Sequence, residues 1–194
     1  HHQSRFMAKR LFDIVVSVFA LVILFPVFII IFIWIVVDSG FPVFFKQQRV
    51  GKNNHDFTLY KFRTMQTGAD KKGLLTIGQN DSRITRSGMT LRTYKLDELP
   101  QLINILKGDM SFVGPRPEVR KYVDFYSEEQ LQVLSVRPGL TDQASMEYLD
   151  ENKVLQQYSD PEKAYIDIVM PDKLRLNLKY IKQRSFITDI KIMV

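Results

Sequence analysis

The uncharged stretch IVVSVFALVILFPVFIIIFIWIVV, residues 14–37, decides how this chain folds, because its 24 residues include no charged side chain. An apolar run of more than about 18 residues indicates a segment embedded in a membrane. A secretory signal is a poor alternative, since the run is too long and no small-residue cleavage site follows it. Pro26 lies close to the middle of the run and removes the hydrogen bond to the Val22 carbonyl.

The flanks of this run are basic on both sides. The cations are Arg5, Lys9 and Arg10 before it and Lys46, Arg49 and Lys52 after it. The positive-inside tendency then favours a cytoplasmic position for both ends. Two arms of about 12 residues would each rise about 18 Å, short of a hydrocarbon core of about 30 Å. A re-entrant helix-break-helix at Pro26 and a Pro-kinked spanning helix therefore both remain open.

Composition limits the kind of partner. The chain has 194 residues, a formal net charge of +6 and a pI of about 9.4. This balance favours phospholipid headgroups, nucleotides or nucleic acid. Cysteine is absent, which excludes disulfides and thiolate metal sites. His1 and His2 are typical of a purification-tag remnant, and His55 is expected in an exposed turn.

The pattern predicts an α-rich α+β fold with two parts. We expect residues 1–40 to contain the membrane helix, with residues 1–4 as a tag remnant, and residues 41–194 to form a compact domain. Residues 41–45 are expected to form a short strand or an anchor at the membrane interface, residues 56–65 an extended segment, and residues 66–88 a surface loop. Further helices are expected at 89–94, 117–126, 127–135 (with a capping box at Ser127) and from Asp160. Residues 173–183 and 186–194 are basic and amphipathic, so they either lie on an anionic leaflet or pack on the core.

An acid pair stands out in the segment Lys95-Leu96-Asp97-Glu98-Leu99-Pro100-Gln101. Pro100 suits a first helical turn and Gly108 is a stop signal, so a short helix should begin near Asp97. Asp97 would then lie at or next to the N-cap. Free N–H groups and the positive end of the helix dipole at that point suit a carboxylate and a phosphate alike.

Several cations are candidates to bind phosphate around this pair. They are more numerous than nearby acids require, which favours an anionic substrate over internal ion pairs. The candidates are Lys61, Arg63, Arg92, Arg116 (within Gly-Pro-Arg-Pro, residues 114–117) and Arg137. The chain contains no Walker A loop, Rossmann glycine fingerprint or zinc-ligand spacing.

These segments carry a family resemblance. They are the basic entry KRLFD (9–13), YKFRTM (60–65), DSRIT (81–85), LDELPQLIN (96–104) and KGDMSFVGPRP (107–117). The chain resembles, over nearly its whole length, the small monotopic phosphoglycosyl transferases of the bacterial sugar transferase family. The resemblance implies a re-entrant helix broken at Pro26 and favours that topology over a spanning helix.

The resemblance also implies a reaction. Members transfer a sugar 1-phosphate from a nucleotide diphosphate sugar, by default a UDP sugar, to polyprenyl (undecaprenyl) phosphate, with Mg²⁺. Asp97 takes the role of nucleophile, and Glu98 that of Mg²⁺ ligand or proton shuttle, so both are implied metal ligands. Lys61, Arg92 and Arg116 match basic positions of the family motifs and would hold phosphates.

The resemblance implies a setting as well. The protein would work at the cytoplasmic face of a bacterial inner membrane, in contact with anionic lipids and not with nucleic acid. A homodimer is left open. One departure from the family pattern follows Arg137-Pro138-Gly139-Leu140-Thr141, where this chain continues with Asp142-Gln143-Ala144-Ser145 instead of Gly, an aromatic or Leu, then Ala-Gln. Sugar preference therefore does not carry over from better-known members.

Two other functions stay under consideration. A membrane-associated phosphohydrolase or phosphodiesterase could use the same carboxylates with water as the acceptor. A basic membrane-surface adaptor would use the cations alone, and it predicts that Asp97→Asn leaves function intact.

Overall fold

The computed structural model describes residues 2–69, 81–147 and 151–193. Helices of these ranges are α1 His2–Ser39, α2 Arg86–Thr93, α3 Gln101–Lys107, α4 Arg120–Val123, α5 Glu128–Leu131, α6 Gln143–Glu147, α7 Glu151–Leu155, α8 Pro161–Ala164, α9 Met170–Gln183 and α10 Phe186–Met193. A π-helical turn, Tyr165–Val169, joins α8 to α9. The strands are β1 Phe44–Val50, β2 Asp56–Phe62, β3 Ser111–Val113 and β4 Gly139–Thr141. The expected α-rich α+β character is confirmed.

Helix α1 runs without interruption through Pro26, so the two arms predicted on either side of this proline are one helical element. Its segment Met7–Ser39 is, among the described residues, the one helix long and apolar enough to cross a membrane. One face packs on the rest of the chain, where Ile31 and Ile35 are buried against Phe62 and Leu91. Most other side chains of the run are exposed and apolar.

Both ends of α1 are tied to the catalytic part of the chain. Near its start, the Arg10 guanidinium donates to the carbonyls of Ile105 (2.5 Å) and Leu106 (2.8 Å) at the end of α3. At its end, Arg63 donates to the carbonyls of Ser39 (3.0 Å) and Gly40 (2.6 Å). Helix C-termini present free carbonyls, which arginine satisfies well. Helix α1 therefore lies along the domain and does not project from it.

Two small sheets support the site. Strands β1 and β2 form an antiparallel hairpin with Phe44 opposite Phe62 and Val50 opposite Asp56. Strands β3 and β4 pair in parallel, with Ser111 opposite Gly139. The hairpin starts three residues later than the strand predicted at 41–45.

The second half of the chain builds its own core around Tyr122, Leu155, Tyr165 and Val169. Helix α9 buries Leu174, Leu176 and Tyr180. Of the two alternatives predicted for residues 173–183, packing on the core is therefore the one observed. Helix α10 places the buried Asp189 against Lys9 of α1 (2.6 Å) and leaves Ile187 exposed.

Several helix ends agree with the features predicted from neighbouring residues. The capping box at Ser127 and the Asp160 N-cap are both confirmed. The helix predicted at 117–126 is the shorter α4, and α2 begins at Arg86, inside the loop predicted at 66–88. Residues 70–80 of that loop lie outside the described residues.

Candidate active site

The acid pair lies in a 3₁₀ turn, Leu96–Glu98, between α2 and α3. Lys95 adopts a left-handed conformation (φ 58°) just before it, and the Glu98 and Leu99 amides donate to carbonyls three residues back. Pro100 is the N-cap of α3 and no side chain caps this helix. The prediction that Asp97 lies at or next to the N-cap is therefore wrong. The 3₁₀ turn ends at Glu98, before α3 starts, so Asp97 lies three residues ahead of the N-cap Pro100.

Glu98 is the anchor of a charge cluster. Lys61 Nζ donates to Glu98 Oε1 (3.2 Å), and Arg116 forms an ion pair with the same oxygen. Burial alone would raise the pKa of Glu98, but Arg116 and Lys61 outweigh it and lower this pKa to about 2. Glu98 is thus a fixed anion at physiological pH.

Asp97 has the opposite surroundings. Its side chain is 7% exposed, and within the described ranges no hydrogen bond or ion pair reaches its carboxylate. Burial, with the neighbouring Glu98 charge, raises the pKa of Asp97, although Lys61, Arg92 and Arg116 act against this rise. The two adjacent carboxylates therefore differ: Glu98 is neutralised by cations, and Asp97 is left available.

Three of the five predicted phosphate-binding cations surround this pair. Lys61 lies on β2, Arg92 on α2 and Arg116 in the turn after β3. Arg92 Nε also donates to Thr64 Oγ1 (3.1 Å), which helps to fix the guanidinium. Burial lowers the pKa of Lys61, so this amine loses part of its preference for the charged form.

The structure does not bring Arg63 to the pair. Its guanidinium is buried at the end of α1 and donates to backbone carbonyls, including that of Met65 (3.3 Å). Arg63 thus holds the end of α1 to the β hairpin, and its donors are engaged there. Its predicted role in binding substrate has no support in this placement.

Arg137 is likewise elsewhere. Its Nε donates to the Gly108 carbonyl (2.8 Å), and its charge acts on Arg10 at the start of α1. The C-terminus of α3 collects both arginines because it offers several free carbonyls. This is the end of α3 opposite the acid pair.

A cavity of about 770 Å³ opens beside the cluster. Glu98 and Arg116 line it, together with side chains of the second core such as Tyr122 and Tyr165. Its volume falls within the range of about 300–1,000 Å³ that is usual for small-molecule sites. Arg116 on the wall of a cavity of this size favours an anionic small molecule such as a phosphorylated one.

Comparison with known proteins agrees with this geometry. The profile described as Bacterial sugar transferase matches residues 4–194. The chain belongs to the bacterial sugar transferase family. It is 37% identical over 185 residues to an uncharacterized sugar transferase, EpsL, of Bacillus subtilis, covering 95% of this chain and 83% of that protein.

Two further family relatives carry more specific names. A UDP-glucose:undecaprenyl-phosphate glucose-1-phosphate transferase of Xanthomonas campestris is 36% identical, with 97% of this chain but only 37% of that protein covered. A protein of the same name from Caulobacter vibrioides is 31% identical, with 97% and 67% covered. The chain thus spans little more than a third of the Xanthomonas protein.

A magnesium ion at this site would have to take most of its ligands from substrate and water. Among residues 2–69, 81–147 and 151–193, no cluster of three or more acidic, histidine or cysteine side chains could hold a metal alone. Both oxygens of Glu98 face Arg116 or Lys61, so the available ligand is Asp97. Mg²⁺ is commonly bound by one or two carboxylates with substrate phosphates and water supplying the rest.

Asn104 is a positioning residue that the sequence alone did not single out. Asn104 is fully buried on α3 and accepts from the Tyr60 amide (3.1 Å) while donating to the Thr58 carbonyl (2.8 Å). It thereby fixes β2, which carries Lys61, against the helix that follows the acid pair. The available signal was a lone amide in the apolar run 102–106, where an unpaired amide would be costly to bury.

Proposed function

We propose that this protein transfers a sugar 1-phosphate from a nucleotide sugar, most simply a UDP sugar, to polyprenyl phosphate at a membrane surface. The observation that carries the proposal is the buried Asp97 carboxylate, which lacks a described partner and is surrounded by Lys61, Arg92 and Arg116. Family membership supports it, as does the similarity to two UDP-glucose:undecaprenyl-phosphate glucose-1-phosphate transferases.

The proposed chemistry has two displacements at one phosphorus. An Asp97 carboxylate oxygen attacks the phosphorus that bears the sugar, and the bond from that phosphorus to the bridging oxygen breaks. The electron pair leaves with the nucleoside monophosphate, and a phosphosugar-aspartyl intermediate remains. A phosphate oxygen of the polyprenyl phosphate then attacks the same phosphorus and releases the Asp97 carboxylate.

Each neighbouring side chain has a task in this scheme. A carboxylate attacking a diphosphate meets strong like-charge repulsion, which Lys61, Arg92 and Arg116 reduce. Glu98 acts through Lys61 and Arg116 by holding them in place, so it is a positioning residue. When bound, Mg²⁺ would supply further neutralisation of the diphosphate charge.

The membrane setting is part of the proposal. A polyprenyl phosphate keeps its chain in the bilayer, so the enzyme must reach the lipid headgroup. Helix α1 offers a continuous exposed apolar face that includes Phe19, Ile23 and Ile30. Since both ends of α1 are tied to the domain, we place α1 within one leaflet of the bacterial inner membrane, with both of its ends and the domain on the cytoplasmic face.

Intact mass spectrometry tests the covalent step. The protein is incubated with UDP-glucose or UDP-N-acetylgalactosamine and Mg²⁺, without lipid. We expect a hexose-phosphate or N-acetylhexosamine-phosphate adduct with release of UMP. Asp97→Asn should abolish the adduct, while Asp124→Asn, at an exposed carboxylate, should retain it.

Two outcomes would contradict the proposal. One is a folded protein that gives neither adduct nor UMP with a broad panel of nucleotide sugars. The other is sugar phosphate released into solution at the same rate with and without polyprenyl phosphate, which would indicate a hydrolase. An adduct that the lipid phosphate discharges into a lipid-linked sugar supports the transfer.

A further inference from the structure

Two residues that line the 770 Å³ cavity carry buried acceptor atoms that no described group satisfies. They are Asp142 Oδ2 and Asn177 Oδ1. Both residues line the cavity, as do Glu98 and Arg116 of the acid cluster. A buried acceptor without a partner costs about 1–3 kcal/mol, so such atoms usually indicate a ligand or ordered water.

Asp142 uses one oxygen for structure and leaves the other unused. Its Oδ1 accepts from the Ser145 amide (3.2 Å), three residues on, which is the N-cap arrangement for α6. The side chain is 2% exposed, and Oδ2 has no hydrogen bond among the described residues. The cap uses Oδ1 alone, so Oδ2 remains for another donor.

Asn177 faces the same space from α9. It is 5% exposed, and its Oδ1 is without a partner in the described part of the chain. Helix α9 packs against α6, which follows Asp142, and both acceptor residues line the cavity. Asp142 also lies close enough to Arg116 for its charge to act on that guanidinium.

We propose, on the basis of the proposed function, that this cavity binds the sugar of the donor and that Asp142 and Asn177 select it. Asp142 Oδ2 and Asn177 Oδ1 would accept hydrogen bonds from ring hydroxyls or from an acylamino N–H. The donor class is therefore a nucleotide-linked neutral hexose or N-acylhexosamine. A uronic acid is disfavoured, because its carboxylate would meet Asp142.

The position of the cavity assigns it to the sugar and not to the nucleotide. The sugar is attached to the phosphorus that Asp97 attacks, so it must lie next to the Asp97–Glu98 turn throughout the reaction. Glu98 and Arg116 form the cavity wall at that point.

Asp142 has a variant that separates its two oxygens. Asp142→Ser keeps an N-cap, since serine and aspartate cap equally well, but removes Oδ2. Asn177→Leu removes the second acceptor at similar volume. Asp160→Ser is the matched control, because Asp160 caps α8 on the exposed surface through the Lys163 amide (3.0 Å).

Binding is measured by calorimetry in an Asp97→Asn background, so that no transfer occurs. The probes are UDP, UDP-glucose, UDP-N-acetylgalactosamine and UDP-glucuronate. We expect one of the two neutral sugars to bind more tightly than UDP. Asp142→Ser and Asn177→Leu should each weaken the binding of that sugar nucleotide about tenfold to a hundredfold and change the affinity for UDP by no more than about twofold. Asp160→Ser should change neither, and UDP-glucuronate should bind no better than UDP.

Two results would overturn the inference. If both variants weaken the binding of UDP and of the UDP sugars equally, the nucleotide occupies the cavity. If binding is unchanged in both variants, the two acceptors bind water and not the sugar. Thermal unfolding of each variant checks that loss of binding is not loss of fold. These binding experiments involve no transfer, so their result does not depend on the adduct assay. A missing adduct would contradict the proposed chemistry and would leave the binding comparison unchanged.

Discussion

Two carboxylates that are adjacent in the chain acquire different properties because only one of them is paired. Glu98 receives Lys61 and Arg116, and its pKa falls to about 2. Asp97 receives no such partner among the described residues, and burial raises its pKa. A carboxylate with a raised pKa is the better nucleophile of the two, provided that it is ionised at the working pH.

The acidic limb of activity should therefore belong to Asp97. Lys61 acts to lower the pKa of Asp97, so Lys61→Met should move the acidic limb of adduct formation to higher pH. The measurement is the rate of adduct formation against pH with saturating donor. Lys163→Met, which removes an exposed cation elsewhere, should leave the limb in place. A limb that stays fixed or moves to lower pH in Lys61→Met would exclude Asp97 as the titrating group.

Stability should depend on pH through Glu98. Its pKa lies below the ordinary value of 4.5, so its contribution is complete above pH 4.5 and is lost as the pH falls toward 2. The shift corresponds to about 3 kcal/mol of unfolding free energy. Denaturant unfolding in detergent should show Glu98→Gln less stable than the parent at pH 6, with the difference shrinking below pH 4.5. Glu129→Gln, at an exposed position, serves as control, and a pH-independent difference would contradict this account.

At the scale of elements, the site depends on how β2, the 3₁₀ turn and α3 are held together. Asn104 satisfies both the Tyr60 amide and the Thr58 carbonyl at the edge of β2. Because β2 pairs only with β1 among the described strands, that edge would otherwise carry unsatisfied groups inside the protein.

Replacing Asn104 by leucine should loosen this junction. Two buried backbone groups would lose their partner, so the unfolding free energy should fall by about 2–5 kcal/mol. Denaturant unfolding checks this value. Adduct formation per folded molecule should also slow, since Lys61 follows Tyr60 on β2. Gln157→Leu, at an exposed site, should change neither, and an Asn104→Leu protein of unchanged stability would refute the role given to Asn104.

At the scale of the whole molecule, α1 lies along the domain and has its exposed apolar face turned outward. A helix that left the domain and crossed the bilayer would place its two ends on opposite sides. Contacts from Arg10 to α3 and from Arg63 to the end of α1 support both ends lying at the level of the same domain.

Labelling of single cysteines tests this topology, and the absence of native cysteine makes it simple. Ala8→Cys and Gln48→Cys stand at exposed positions on either side of the run. Both should react with a membrane-impermeant maleimide in inverted membrane vesicles and neither in intact spheroplasts. Ile23→Cys, in the middle of the apolar face, should react only after detergent is added. Labelling of the two flanking cysteines from opposite sides would establish a spanning helix instead.

Features that depend on neighbouring residues alone were predictable from the sequence. The apolar run, the caps at Ser127 and Asp160, the stop at Gly108 and the acid pair itself are of this kind, because a few residues contain all the groups involved. Family motifs also pointed to Lys61, Arg92 and Arg116 as phosphate-binding cations.

Only the tertiary structure decided how the basic residues divide. Lys61 and Arg116 lie 37 and 18 residues from Glu98 in the chain, and no local pattern distinguishes them from Arg63 and Arg137. Arg63 and Arg137 donate to free carbonyls at the ends of α1 and α3. Lys61 and Arg116 pair with the buried Glu98 carboxylate, whose charge needs a neutralising partner. The sequence by itself determined which chemical groups are available and that the chain meets a membrane. Packing determined which of those groups meet, because burial forces each charge and each helix end to find a partner.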